Sequence, residues 1–143
     1  ILWGLQEEED GSATLAGLLQ HALERMPQWE GIVEVRNEGI EPPWARKIGA
    51  PILMILHEAV GNALSHGGAD EISVILAFPK KGGLKLRISD NGCGFDTTRD
   101  RPGHMGLYSL RSRAREIGGV LHIISTPQTG TSVILVCPEP AKK

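Results

Sequence analysis

The chain has 143 residues, 41% of them hydrophobic, and a formal net charge of −2. This length and composition suit one domain with a buried core, and the charge argues against a nucleic-acid-binding module, which needs a basic face. We expect no apolar run that approaches the roughly 20 residues of a membrane span, and no signal peptide. Cys93 and Cys137 fit no metal-ligand spacing and are predicted to be reduced thiols of a cytosolic domain.

The predicted domain covers residues 12–138. An acidic, glycine-containing linker is expected over 1–11, and a frayed tail is expected over 139–143. Because the sequence begins at Ile1 rather than at a methionine, we expect it to be a piece of a longer protein. No internal repeat or low-complexity segment is evident.

Periodic apolar residues predict the secondary structure in chain order. Helices are expected at 13–26, 44–66 and 104–117, and strands at 31–37, 71–78, 84–89, 120–126 and 131–137. Ser12 is the predicted cap of the first helix. In the long helix, Leu53, Val60 and Leu64 mark a buried stripe, and His57 falls in the same line. Because hairpins dominate, the order predicts an α/β fold with a mixed, mostly antiparallel sheet and helices on one face.

The long helix carries the stretch "HEAVGNALSHGG", in which Glu58 and Asn62 lie four residues apart and share a face. Two oxygen donors side by side suit Mg²⁺, which takes few protein ligands and completes its shell with water and phosphate oxygens. The simpler alternative is an exposed helix face with a hydrogen bond between Glu58 and Asn62. Asn62 is a poor helix former among small residues, which favours close approach by a ligand. We expect His57 to be a core or supporting histidine rather than a ligand.

The stretch "SDNGCGFD" ends an apolar run with an acidic residue and two glycines. Asp90, at the end of a strand, can accept a hydrogen bond from an exocyclic amine. Gly92 and Gly94 permit positive φ and close approach of the backbone, so that a planar base can lie against the loop with Phe95 as an apolar wall. The alternative is a tight turn, for which D-N-G is a common signal. One glycine satisfies a turn better than two, and both interpretations stay open.

The stretch "RPGHMGLYSLRSRA" places Gly103 and Gly106 at the start of a helix, where backbone amides can bind phosphate. The polar segment before it is a candidate mobile cover. The candidates for phosphate contacts are Arg99, Arg101, Arg111 and Arg115, although a solvated surface charge is the usual role of a single arginine. The sequence has neither G-x-G-x-x-G between a strand and a helix nor G-x-x-x-x-G-K-[ST], so phosphate would bind by another architecture.

Taken together, these motifs are more specific than each is alone. "HEAVGNALSHG", "DNGCGFD", "GHMGLYSLRSRAREIGG" and "GTSVIL" resemble the ATP-binding domain of sensor histidine kinases, in the superfamily shared with gyrase, a heat-shock chaperone and mismatch-repair ATPases. The resemblance covers residues 12–137, and the third motif is similar to the nitrate-sensor-like subfamily. It implies a two-layer α/β sandwich, the Bergerat fold, with ATP between the long helix and a lid.

The resemblance also implies a role for each matching residue. Asn62 would hold Mg²⁺, and Glu58 would orient or deprotonate the attacking group. Asp90 would bind the adenine amine, and Thr131 would lie near the adenine. The other nucleotide contacts that it implies are Gly92 and Gly94 along the base, and Gly103, His104, Gly106 and Leu107 at the lid hinge and the phosphate-side turn.

The chain departs from the family pattern after the asparagine that would hold Mg²⁺. Many members carry a basic or aromatic residue there, and this chain has Ser65 and His66, so we expect His66 to supply the phosphate contact. The lid, at residues 96–103, is short, which suits the nitrate-sensor-like subfamily.

A kinase of this type also needs a phosphorylated histidine, which is not evident here. His21, in "LLQHALERM", lies in the first helix and lacks the acidic residue that usually follows such a histidine. The resemblance therefore implies a histidine-bearing dimerisation hairpin upstream of Ile1, which receives the γ-phosphoryl group and serves a response regulator. The isolated domain is expected to be a monomeric, cytoplasmic unit that binds Mg·ATP and does not phosphorylate itself.

Two alternatives stay open at this point. One is a protein serine kinase of the anti-sigma-factor type, which has the same fold and needs no upstream hairpin. The other is a degenerate module that docks a partner and has lost nucleotide binding; such a module would show no Mg²⁺-dependent binding of ATP.

Overall fold

The computed structural model describes residues 13–94 and 105–140. Its helices are α1 (Leu15–Glu24), α2 (Gly49–Ser65) and α3 (Met105–Glu116), and its strands are β1 (Val33–Gly39), β2 (Ile72–Phe78), β3 (Leu84–Asp90), β4 (Val120–Ser125) and β5 (Thr131–Cys137). The predicted order of helices and strands is confirmed, with ends that shift by a few residues. Two short 3₁₀ turns, Pro27–Trp29 and Ala45–Ile48, were not predicted.

The five strands form one sheet in the order β1-β2-β3-β5-β4. β1 runs parallel to β2, and the other neighbouring pairs are antiparallel. The parallel pair needs a long crossover, which the segment containing α2 supplies. The predicted mixed, mostly antiparallel sheet is therefore confirmed.

One face of the sheet packs against the helices, as alternating burial along the strands shows. Val74, Leu86 and Leu135 are fully buried or nearly so, whereas Ser73 and Lys85 on the other face are exposed. Successive side chains of a strand point to opposite faces, so the helix-covered face carries the core and the other face is open. The two-layer α/β arrangement with helices on one face is confirmed.

The central helix α2 owes its apolar character to this core. Ile52, Ile55, Leu56 and Val60 are fully buried in the cluster that joins α2 to the sheet. By length and composition alone, the segment Ala45–Ser65, with a mean hydropathy of 1.3, is long and apolar enough to span a membrane. This corrects the expectation that no run approaches that length. A helix at the centre of a soluble core passes the same test.

The N-terminus of α1 is held by a carboxylate from a distant loop. Glu41 accepts hydrogen bonds from the backbone amides of Leu15 at 2.5 Å and Ala16 at 3.1 Å. The N-cap residue is Thr14, whose hydroxyl accepts from the Gly17 amide at 3.0 Å. The predicted cap, Ser12, lies outside the described residues. A negative charge at this position accepts hydrogen bonds from free amides and interacts favourably with the positive end of the helix dipole.

We expect the Glu41→Ala variant to lower the free energy of unfolding by about 0.5–2 kcal/mol, the usual range for loss of a helix cap. Urea denaturation of the variant and the parent chain measures the difference. Glu38→Ala is the matched control, because Glu38 is an exposed residue of β1. Equal losses in both variants would show that the Glu41 cap adds nothing specific.

Candidate functional site

The candidate site lies at one end of the sheet, on the face covered by helices. Asp90 pairs with Thr131 across β3 and β5, and Thr131 pairs with Ser125 across β5 and β4. Alternation along each strand places these three side chains on the same face as the buried residues Ile88 and Val133. The apolar core therefore ends in a row of three polar side chains at this end of the sheet.

The loop that follows β3 is tied down on both sides. The Asp90 carboxylate accepts a hydrogen bond from the Gly92 amide at 2.8 Å, and the Cys93 amide donates to the Gly67 carbonyl at 2.8 Å. On the other side, the Gln128 amide donates to the Cys93 carbonyl. In the described part of the chain, Gly92 supplies the one donor that reaches the Asp90 carboxylate. The loop thus fixes the position of Asp90 and leaves acceptor capacity on its carboxylate.

Close packing of this loop accounts for both of its glycines. A Cβ at Gly92 would lie 2.7 Å from the Gly67 carbonyl oxygen, and Gly94 has a φ of +65° with a Cβ position that overlaps the Thr126 carbonyl. A side chain at either position would force backbone to move. The glycines are therefore required by the loop itself, and they do not decide between the turn and the base-binding interpretations.

Asn91 is a residue of this loop that sequence reasoning missed. Its Oδ1 accepts from the amides of Asp70 and Glu71, both at 3.0 Å, and its Nδ2 donates to the Asp70 carboxylate at 2.6 Å. These bonds join the end of β3 to the loop between α2 and β2. The D-N-G signal in the sequence pointed to a turn, but it could not show that the Asn91 side chain bridges two segments.

Glu58 and Asn62 form the polar face of α2. Glu58 and Asn62 are half-buried, and within the described ranges their side chains form no hydrogen bond or ion pair with each other or with other residues. The alternative that needs a hydrogen bond between Glu58 and Asn62 is therefore not realised. Gly61 lies beside them, and a Cβ there would meet no atom within 4 Å. The surface at Gly61, next to these two oxygen-bearing side chains, is therefore not covered by other described residues.

The two histidines of α2 have different surroundings. His66 ends the helix, with its amide bonded to the Asn62 carbonyl at 2.9 Å, its side chain exposed and its carbonyl near the Cys93 thiol. His57 is exposed and packs on Trp29 with 5.1 Å between ring centroids. The expectation that His57 shares the buried stripe is wrong, because Leu56 fills the core at that level of the helix. Desolvation of the part of the ring that is covered lowers the pKa of His57.

Of the four arginines predicted to contact phosphate, the structure describes Arg111 and Arg115. Arg111 donates to the Leu121 carbonyl at 3.0 Å through Nη1, which occupies one of its five N–H groups, and its predicted contact with phosphate stays a prediction. Arg115 is exposed, whereas Arg99 and Arg101 lie outside the described residues. A carbonyl at the outer strand of a sheet is a ready acceptor, which explains the position of Arg111.

The lid and phosphate-side predictions fall mostly outside the described residues. Phe95, Gly103 and His104 lie in the range 95–104, as does the predicted lid. Gly106 belongs to the first turn of α3, and Leu107 is partly buried against the core. A role for these residues in binding phosphate therefore stays a prediction.

A cleft of about 580 Å³ opens beside Asp90. It is lined by the starts of β1 and β2 and the end of β3, including Glu34, Glu71, Ser89 and Asn91. No residue of α2 lines it, so this cleft adjoins the candidate site and does not contain the Glu58–Asn62 face.

Comparison with known proteins identifies the family. The family model described as "Histidine kinase-, DNA gyrase B-, and HSP90-like ATPase" matches residues 49–141, which include the α2 face and the polar row. The sensor protein VraS of Staphylococcus aureus (strain COL) is 39% identical over 87 residues, which are 61% of this chain and 25% of that protein. VraS of Staphylococcus haemolyticus is 38% identical over the same shares. The match thus spans a quarter of the length of these curated relatives.

Solved structures share the fold. The histidine kinase domain of the blue-light activated histidine kinase EL346 from Erythrobacter litoralis has a TM-score of 0.66 and 22% identity, over 87% of this chain and 60% of that chain. The ATP binding domain of PrrB from Mycobacterium tuberculosis has a TM-score of 0.63 and 22% identity, over 89% of this chain and 92% of that chain. The chain belongs to the family of histidine kinase-, DNA gyrase B- and HSP90-like ATPases.

Proposed function

We propose that this domain binds Mg·ATP and transfers the γ-phosphoryl group to a histidine on a separate dimerisation hairpin, as the catalytic domain of a sensor histidine kinase. The single observation that carries the proposal is the arrangement of the site. Asp90 and Thr131 belong to the polar row at the end of the core. Glu58 and Asn62 lie on α2, and their side chains have no hydrogen-bond partner among the described residues. The "RAREIGG" stretch and the short lid support the nitrate-sensor-like subfamily.

The polar row is proposed to bind the adenine. Asp90 accepts the exocyclic amine, Thr131 lies beside it, and Gly92 and Gly94 let the loop backbone approach the base. The His66 carbonyl lies 3.5 Å from the Cys93 thiol, which places His66 beside this loop. We therefore propose His66 as a further nucleotide contact. At the other end of the nucleotide, Gly103, His104, Gly106 and Leu107 are the proposed phosphate-side contacts, because amides at the start of a helix bind anions.

Asn62 and Glu58 are proposed to act at the phosphates. Their donor set fits Mg²⁺, because oxygen ligands are what this ion prefers and because it keeps water and phosphate oxygens in its shell. No cluster of three or more His, Cys, Asp or Glu side chains in the described ranges would enclose a metal without substrate. When bound, Mg²⁺ would neutralise charge on the phosphates. Asn62 would hold the ion, and Glu58 would orient the attacking imidazole or accept its proton.

The reaction itself demands mainly positioning and charge neutralisation. A bond forms between the imidazole nitrogen and the γ-phosphorus, and the bond from phosphorus to the bridging oxygen breaks. That oxygen leaves with its electron pair on ADP. The protein's task is to hold the base, the phosphates and the incoming histidine in line.

The proposed partners follow from this reaction. They are a histidine-bearing dimerisation hairpin upstream and a response regulator that takes the phosphoryl group from it, with the domain itself cytoplasmic and monomeric in isolation. The curated relatives bear the name of sensor proteins, which favours this function over a serine kinase. A degenerate module is not favoured, because the four motif residues are all present and each is partly exposed. They are Glu58, Asn62, Asp90 and Thr131.

Calorimetric titration of the chain with ATP, in Mg²⁺ and in EDTA, tests the proposal. We expect binding in the micromolar to millimolar range that Mg²⁺ changes. A second assay joins the domain to the proposed hairpin, supplies radiolabelled ATP and asks whether the label is acid-labile, as for phosphohistidine, or acid-stable, as for phosphoserine. Acid-stable label would favour the serine kinase, and no binding of ATP in either condition would favour the nucleotide-free module.

A further inference from the structure

Ser125 is the member of the polar row to which no nucleotide role has yet been assigned. It lies at the end of β4, directly across from Thr131, and is only 7% exposed. Among the described residues it is the one polar residue that is buried. A hydroxyl buried at the end of an apolar core must be hydrogen-bonded to be tolerated, and two of the hydrogen bonds of Ser125 bear on Thr131.

Two hydrogen bonds of Ser125 constrain each other's direction. Its hydroxyl lies 3.1 Å from the Gly130 carbonyl oxygen, which can only accept, and 2.8 Å from the Thr131 hydroxyl. A serine hydroxyl has one proton. Both contacts are satisfied only if Ser125 donates to Gly130 and Thr131 donates to Ser125. In the reverse arrangement the Ser125 and Gly130 oxygens would lie 3.1 Å apart with no proton between them.

This direction determines what Thr131 can offer to a ligand. Because its proton is donated to Ser125, its oxygen presents only lone pairs to the space beside Asp90. The Asp90 carboxylate accepts from Gly92 and is also an acceptor. The end of the row is therefore a pair of acceptors, which suits a group with two protons, such as an exocyclic amine, and opposes a carbonyl.

We propose that Ser125 is a positioning residue that holds the Thr131 hydroxyl as an acceptor and thereby favours adenine over purines that carry a carbonyl at position 6. The inference deepens the proposed function and rests on it. Ser125 acts through Thr131, and the expected consequence is a change in selectivity between bases rather than a general loss of binding. Without Ser125, the Thr131 proton becomes available to a carbonyl on the base.

Affinities for ATP and ITP, measured by calorimetry on the whole chain, test this proposal. Hypoxanthine, the base of ITP, has a carbonyl where adenine has an amine. In Ser125→Ala we expect the ratio of the ITP dissociation constant to the ATP dissociation constant to fall about fivefold, the effect of one neutral hydrogen bond. Ser125→Thr retains the hydroxyl and is expected to keep the parent ratio. In a Thr131→Val background, Ser125→Ala is expected to leave the ratio unchanged.

Ser132→Ala is the matched control. Ser132 neighbours Thr131 in sequence, and its hydroxyl pairs with that of Ser89 at 3.0 Å on the open face of the sheet. We expect this variant to keep the parent ratio, while urea denaturation shows that both alanine variants remain folded. If Ser125→Thr shifts the ratio as much as Ser125→Ala does, packing rather than the hydroxyl is responsible and the proposal is overturned.

The remaining outcomes separate this proposal from the proposed function. An unchanged ratio in Ser125→Ala, with ATP binding intact, overturns the role of Ser125 and leaves the nucleotide site standing. If the parent chain binds no ATP at all, the proposed function fails and the inference fails with it. An equal affinity of the parent chain for ATP and ITP also overturns the selective role of the row.

Discussion

The Asp90→Asn variant is expected to bind ATP at least about tenfold more weakly than the parent chain, because a hydrogen bond to a charged acceptor contributes about 1.5–3 kcal/mol. The carboxamide oxygen of the variant can still accept from the Gly92 amide, as the Asp90 carboxylate does at 2.8 Å. Its amino group would then face the adenine amine, so that two donors meet. The loop is retained while the contact with the base is lost.

Calorimetry measures this effect directly, and Glu38→Gln is the matched control. Glu38 is exposed on β1 and its substitution changes the net charge equally. We expect the control to bind ATP with the parent affinity. An Asp90→Asn chain with that same affinity would exclude Asp90 from recognition of the adenine, and attention would move to the phosphate side of the site.

Much of the fold could be predicted because the strands bury one face and expose the other. The alternation in "EISVILAF" and "LKLRIS" reflects strands with one face on the core, and these strands form within one or two residues of the prediction. The cap of α1 could not be predicted in the same way. Glu41 reaches it from 25 and 26 residues away, and local patterns carry no information about such contacts.

The site was predictable where its residues share one local motif, and unpredictable where they meet through the tertiary fold. Glu58 and Asn62 were placed on one face because helical spacing fixes that face. Ser125 was missed because only the register of β4 with β5 brings it to Thr131. The bond from Arg111 to the Leu121 carbonyl could not be predicted, because a carbonyl that needs a donor is not visible in the sequence.

Asn62→Ala provides the second large effect, and it separates binding from stability. Asn62 is half-buried, and in the part of the chain that the structure describes its side chain has no hydrogen-bond partner. Alanine is the better helix former, so we expect α2 to gain about 0.5 kcal/mol of stability. We also expect Mg²⁺ to lose its effect on ATP affinity, and phosphotransfer to an added hairpin to fall about 100-fold, because charge stabilisation by a metal contributes several kcal/mol.

The opposite signs of these two effects make the experiment decisive. A residue kept for folding loses stability when it is replaced, whereas a residue kept for a ligand can gain stability and lose function. Asn37→Ala, on the exposed surface of β1, removes the same group away from α2 and is expected to alter neither ATP affinity nor its dependence on Mg²⁺. If Asn62→Ala destabilises the chain and Mg²⁺ still changes ATP affinity, Asn62 is a structural residue and the metal is held elsewhere.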